Sequence, residues 1–259
     1  MPDISLTVLI VLCLAAGAAG WIDAVVGGGG LLMLPALLLG LPHVPAAHIL
    51  GTNKAVAIVG TSGAAVTYVR RAPVRVRTAV RIGLAALAGS MTGAFFAAGI
   101  SSAVLRPVIL VVLLGVAGFV MFRPAFGTGV GGGPVTRART VTAIVLVGGG
   151  IGLYDGLFGP GTGTFLVLAL TAVLHLDLVT ASATAKIVNV CTNAGALAMF
   201  AYQGNVMWQL AGIMAVFNLA GGMLGARMAL RRGSEFVRGV LLVVVFSLVA
   251  KLAFDQWSA

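Results

Sequence analysis

The chain has 259 residues, of which 60% are hydrophobic and 8% charged, with a formal net charge of +10 and a mean hydropathy of +1.12. A soluble domain carries about a quarter charged residues, so an ordinary globular protein is excluded. The arginines lie in short breaks between apolar stretches, where positive charge marks the cytoplasmic side of a membrane protein; nucleic acid is not the expected partner of this basic chain.

In chain order the apolar segments run over 4–22, 27–41, 44–69, 82–99, 103–122, 140–157, 160–177, 181–202, 207–229 and 236–254. Residues 1–20 carry Asp3 and no basic residue, so no cleaved signal peptide is expected and the first segment stays in the membrane. Most segments have the length a span requires. In the second, however, only Leu31 to Leu41 follow the run Gly27–Gly30, about 16 Å of helix at 1.5 Å per residue. That cannot cross a core of ~30 Å, so the stretch is expected to be broken or re-entrant and shielded from lipid at a working site. If both glycine-broken segments re-enter, the spans fall from ten to about eight.

Placing the loops 70–81, 123–139 and 227–238 in the cytoplasm puts 12 of the 16 basic residues there, against Arg106 and Lys251 outside. Both termini are then extracytoplasmic, with Trp208 and Trp257 near the outer interface. The remaining two basic residues, Lys54 and Lys186, fall inside apolar segments.

The chain matches itself without gaps at an offset of 132 residues. Gly20, Asp23, Gly27, Gly29, His43, Thr52, Lys54 and Gly63 meet Gly152, Asp155, Gly159, Gly161, His175, Thr184, Lys186 and Gly195. Between Gly20 and Val112, 27 of 93 pairs are identical, where composition alone gives roughly ten. Two of the six acids and two of the three lysines align. Five segments per unit reverse the direction of the second half, as inverted repeats in secondary transporters do. The expected fold is an all-α polytopic membrane protein of two inverted repeats, 1–122 and 140–259, joined by a cytoplasmic linker at 123–139.

Gly20-x-x-Asp23-x-x-x-Gly27-Gly28-Gly29-Gly30, Pro35-Ala36-Leu37-Leu38 and Gly51-Thr52-Asn53-Lys54 resemble the first half of the sulfite exporter TauE/SafE family. Asp155 to Gly163 and Ala185-Lys186-Ile187-Val188-Asn189 resemble its second-half signature. The resemblance covers nearly the whole chain and is nearest the branch described as probable membrane transporter proteins. It implies a permease of the bacterial inner membrane that exports small sulfur-containing anions such as sulfite or sulfonates.

A lysine at the centre of a membrane helix costs about 3 kcal/mol, so Lys54 and Lys186 need a purpose. One reading is an anion site near the midplane, completed by Thr52, Asn53, Thr184, Asn189 and Asn193 and by the backbone N–H groups of Gly28, Gly29 and Gly161 at opened helix starts. The other is a structural bridge within each half, Lys54 to Asp23 and Lys186 to Asp155. The two aspartates are candidates for proton coupling or gating, or else helix-end anchors. Gly89-x-x-x-Gly93 and Gly221-x-x-x-Gly225 read as packing motifs, and His43 and His175 as helix-start residues with a minor claim to gating. Cys13 and Cys191 suggest neither disulfide nor metal site, and no hydrolase, zinc-protease or nucleotide-binding motif is present. No enzyme activity, cofactor or metal is expected. The expected partners are a small anion and membrane lipid, with self-association left open.

Overall fold

The computed structural model describes residues 4–105, 107–109, 111 and 136–257. All regular structure in these residues is helical. Among the described residues, five helices are long and apolar enough to cross a membrane: α1 (Leu6–Val26), α3 (Ala46–Val69), α4 (Val76–Gly99), α5 (Arg137–Leu157) and α8 (Trp208–Gly233). Between them lie α2 (Gly29–Gly40), α6 (Thr162–Leu174) and α7 (Leu178–Tyr202). Beyond Gly233 the chain continues as α9, 234–257. Most of the expected segment 103–122, nearly all of the linker 123–139, and Arg106 and Arg123 with them, lie outside the described residues.

Helix ends follow local chemistry. Ser5 caps α1 by accepting from Val8 N, and Asp177 caps α7 through Oδ1, which accepts from Val179 N and Thr180 N at 3.0 Å each. Pro45 precedes α3, whose first N–H, from Ala46, is taken by Ser102 Oγ at 3.0 Å. The helix α1 runs four residues past its expected end, which brings Asp23 into its last turn, and α4 begins at Val76, within the expected basic loop. Residues 143–150 of α5 form a π-helical stretch, AIVLVGGG, that re-phases the helix before Asp155. At 12 and 13 residues, α2 and α6 reach only about 18–20 Å. The 25-residue α7 is long enough to span, yet its Thr, Ser, Asn and Lys content leaves it outside the apolar five.

Large apolar side chains point outward all along the molecule, among them Leu6, Leu39, Leu84, Phe95, Phe96, Val145 and Val216. That exterior suits hydrocarbon rather than water. Inside, Leu12, Met33, Leu34, Ile49, Leu50 and Phe200 form one core cluster, and Ile82, Val147, Leu166, Leu170 and Val188 another. Helix pairs approach through glycine, as expected where lipid removes the hydrophobic drive between helices. Gly89 and Gly93 of α4 lie on the backbone of α5 at Gly149 and Leu153, and Gly221 and Gly225 of α8 lie on that of α1 at Gly17 and Trp21. The packing reading of both motifs therefore stands.

A Cβ on Gly152 would sit 2.5 Å from Ala86 O, whereas one on Gly212 would meet nothing within 4 Å. Gly152→Ala is expected to destabilise the protein by about 1–3 kcal/mol, and Gly212→Ala to stabilise it by up to about 1 kcal/mol. Thermal unfolding in detergent checks both, and equal shifts would contradict the packing described.

Candidate functional site

The two glycine breaks meet. The helix α1 ends at Gly27 in the left-handed region (φ 79°), and α6 begins after Gly159 (φ 86°) and Gly161 (φ 73°). A Cβ on Gly27 would overlap the Gly163 carbonyl carbon, and one on Gly163 would lie 2.5 Å from Gly27 Cα. Glycine is needed here twice over, for the positive φ and for backbone-to-backbone contact. Donors from the second half serve the end of α1: Thr164 N donates to Gly27 O at 3.1 Å and Thr164 Oγ1 to Val26 O at 3.0 Å. These carbonyls are among those a helix leaves without partners at its C-terminus.

Around this crossing the four aligned charges pair between the halves. Lys54 Nζ of α3 lies 2.7 Å from Asp155 Oδ2 of α5, with both side chains 2% exposed. Lys186 Nζ of α7, fully buried, lies 2.9 Å from Asp23 Oδ2 of α1 and also donates to the Asp23 carbonyl. The expected bridges within each half are thus corrected. Lys54 does not pair with Asp23, nor Lys186 with Asp155, because the crossing of the breaks carries each aspartate to the lysine of the opposite half. The helix-end reading of the aspartates also changes: each does sit in a final turn, but held by a buried ammonium rather than at an exposed interface.

The two pairs are not equivalent. Lys186 makes aligned hydrogen bonds to Asp23, and Thr61 Oγ1 donates to the same Oδ2 at 3.2 Å. The Lys54 contact lies off the direction a hydrogen bond requires, so it is an ion contact that leaves Asp155 Oδ2 without a hydrogen-bond donor among the described residues. Asn53 Oδ1, also buried, has no donor among the described residues.

Asp23, Lys54, Asp155, Asn53, Asn189, Asn193 and Gly29 line one cavity of about 30 Å³, room for roughly two water molecules. Other expected site residues stand apart from it. Lys186 is spent on Asp23 and does not reach the cavity wall. Thr52 Oγ1 accepts from Met207 N at 3.0 Å, tying α3 to the start of α8, and Thr184 Oγ1 donates to Thr180 O at 2.8 Å within α7. Gly28 and Gly161 are the N-cap residues of α2 and α6 and are not part of the lining. His43 and His175 are exposed and do not line the cavity, His43 in the turn before α3 and His175 at the end of α6.

Thr61, Thr162 and Asn218 also line the cavity, and sequence reasoning missed them. Thr61 follows Lys54 by seven residues, two helical turns along one face, and Asn218 is the lone asparagine in the apolar stretch 207–229. Asn218 Nδ2 donates to Ala16 O at 2.7 Å, tying α8 to α1.

The crossed pairing makes a thermodynamic prediction. Asp155→Asn strands Lys54 and is expected to cost about 3–5 kcal/mol, whereas Lys54→Met with Asp155→Leu removes both charges and is expected to recover most of the loss. Lys54→Met with Asp23→Leu should show no such recovery. A double-mutant cycle on thermal unfolding decides it; recovery in the second combination only would restore the bridges within each half.

Comparison with known proteins identifies the family. The family model described as Sulfite exporter TauE/SafE matches residues 12–252. "Probable membrane transporter protein ORF9" of Sinorhizobium sp. is 32% identical over 98% of this chain and 96% of its own length. A "Probable membrane transporter protein" of Haemophilus influenzae is 32% identical over 98% of each chain, and "Probable membrane transporter protein YfcA" of Escherichia coli K12 is 31% identical over 98% and 92%. No solved structure matches. The five apolar spans and the match across almost the entire chain make this a multi-pass membrane protein that belongs to the sulfite exporter TauE/SafE family.

Proposed function

We propose that this protein is a secondary transporter of the bacterial inner membrane that exports a small sulfur-containing anion, such as sulfite or an organosulfonate, coupled to protons. The observation that carries the proposal is the cavity at the meeting of the two glycine breaks, walled by Lys54, Asp155 and four asparagines. In an interior of low dielectric, an ammonium that can leave one carboxylate for another anion is a binding site in waiting.

Lys54 is the proposed switch. Its contact with Asp155 is the less well aligned of the two pairs, and it faces the cavity. An entering oxyanion takes the Lys54 ammonium, Asn53, Asn189 and Asn193 supply amide donors, and the N–H groups of the Gly29–Gly30 helix start add their dipole. Asp155, left without its counter-charge in a buried place, takes up a proton. Binding of the anion and uptake of a proton are thereby linked at one residue pair. Lys186 and Asp23 hold the crossing together while this happens.

A cavity of about 30 Å³ admits no hydrated anion, so the cycle requires the breaks to part toward one side and then the other. That is alternating access between two halves, 1–122 and 140–259, read as inverted five-segment repeats with α2 and α6 as re-entrant helices. Arginine placement sets the orientation, with 70–81 and 227–238 cytoplasmic and both termini outside.

Flux of sulfite and sulfoacetate into proteoliposomes under an imposed pH gradient tests the proposal. Saturable, gradient-driven flux is expected in the wild type, with a loss of at least tenfold in Lys54→Gln. Lys186→Gln is expected to lose flux together with thermal stability, whereas Lys54→Gln keeps more of its stability. Undiminished flux in Lys54→Gln would remove the switch, and voltage-following current without saturation would make the protein a channel.

A further inference from the structure

A second and larger concavity, about 540 Å³, lies between α3 and α8. Its walls are apolar or small: Ile58, Val59, Gly63 and Val66 from α3, Leu219 and Met223 from α8. At one end stand three exposed guanidinium groups, Arg70 and Arg71 at the close of α3 and Arg227 of α8. None of the three has a carboxylate within ion-pair distance among the described residues.

This groove is not a branch of the central cavity. At about 100° per residue, the cavity residues Asn53, Lys54, Ala57 and Thr61 share an arc of about 100° on α3. Val59, Ser62, Gly63, Val66 and Arg70 centre about 180° away from them. On α8 the same holds, with Asn218 facing the cavity and Leu219, Met223 and Arg227 facing the groove about 140° round. The groove therefore opens toward the exterior, where Val59 and Val66 are 37% and 50% exposed.

We propose that the groove is a binding site for one anionic phospholipid. From Ile58 to Arg70 it runs 12 residues, about 18 Å of helix, against a hydrocarbon half-thickness of ~15 Å. A phosphodiester held at the arginines thus sends an acyl chain along the apolar wall to the middle of the bilayer. Guanidinium groups pair with phosphate oxygens through two parallel hydrogen bonds, and basic pockets between membrane helices favour anionic headgroups. Gly63 supplies the depth: a side chain there would run into Leu219 and Met223. The lipid occupies the cytoplasmic leaflet in the orientation proposed above, and it bears on the same two helices, α3 and α8, that carry Lys54, Thr61 and Asn218 to the central cavity.

The test is native mass spectrometry of the full chain from mixed micelles of phosphatidylglycerol and phosphatidylcholine, read as lipid retained per protein. The wild type is expected to retain one phosphatidylglycerol at least tenfold in preference to phosphatidylcholine. Arg70→Gln/Arg71→Gln/Arg227→Gln should bring the ratio near unity, at about fivefold for each arginine. Arg227→Gln alone gives a partial loss and serves if the triple variant does not fold. Arg75→Gln/Arg77→Gln, in the same basic stretch but outside the groove, should leave the preference intact. Equal retention of the two lipids by the wild type, or a preference that survives the triple variant, would overturn the proposal. So would equal stabilisation by soluble glycerophosphate, which would make the arginines a free-anion site, or a dimer that is lost in the triple variant with no lipid retained.

Discussion

Everything near the centre of this molecule depends on two ion pairs that tie the halves of the chain to each other. In a chain with six acids and three lysines, four of those nine charges sit within one buried crossing. An isolated charge there is very unfavourable, and a pair is tolerable only with good geometry and further hydrogen bonds. Lys186 and Asp23 meet that condition through an aligned bond, a second bond to the backbone and the Thr61 hydroxyl. The position of Asp23 in the last turn of α1, at the negative end of the helix dipole, adds to its need for a cation. Lys54 and Asp155 meet the condition only in part, and the switch proposed at Lys54 rests on that difference between the pairs.

Glycine does the complementary work. No apolar driving force presses helices together in lipid, so contact must come from shape. The α4–α5 and α1–α8 seams put backbone against backbone, and the Gly27–Gly163 contact does the same where two helices begin and end. Close approach at the crossing is also what brings the aspartate of each half within reach of the other half's lysine. Enlarging any of these glycines separates charges as well as helices, so packing and electrostatics are not independent variables here.

Much of this was legible in the residues. Rarity exposed Lys54, Lys186, Asp23 and Asp155, since charges in apolar segments stand out and their common offset makes them equivalent. The glycine runs marked the breaks, and their shortness of helix told that α2 could not span. Which aspartate meets which lysine was not legible. An internal repeat identifies corresponding residues, but correspondence is silent about contact, and a crossing exchanges the partners without changing a single residue of the pattern. Thr52 and Thr184 misled for a related reason: they align with each other and lie near the lysines, yet two residues along a helix turn a side chain by about 200°, toward Met207 and the Thr180 carbonyl. Thr61 and Asn218 carried a usable signal in their helical spacing and isolation. The extra length of α1 was hidden because Asp23 looks like a terminator when its cation lies more than 160 residues away.

The exchange of partners has a consequence for biogenesis. Lys54 leaves the ribosome 101 residues ahead of its partner Asp155, and Asp23 leaves it 163 residues ahead of Lys186. At translation speeds of about 5–20 residues per second, the wait is roughly 5–20 s for Lys54 and roughly 8–33 s for Asp23. Throughout this interval the first half holds an acid and a base in its helices without their eventual partners, and within that half they do not pair in the finished molecule. The nascent half is therefore a poor membrane resident by itself and has reason to linger in the aqueous groove of the insertion machinery until its counterpart emerges. Insertion of this chain is in that sense a single long event, completed only when the second lysine arrives.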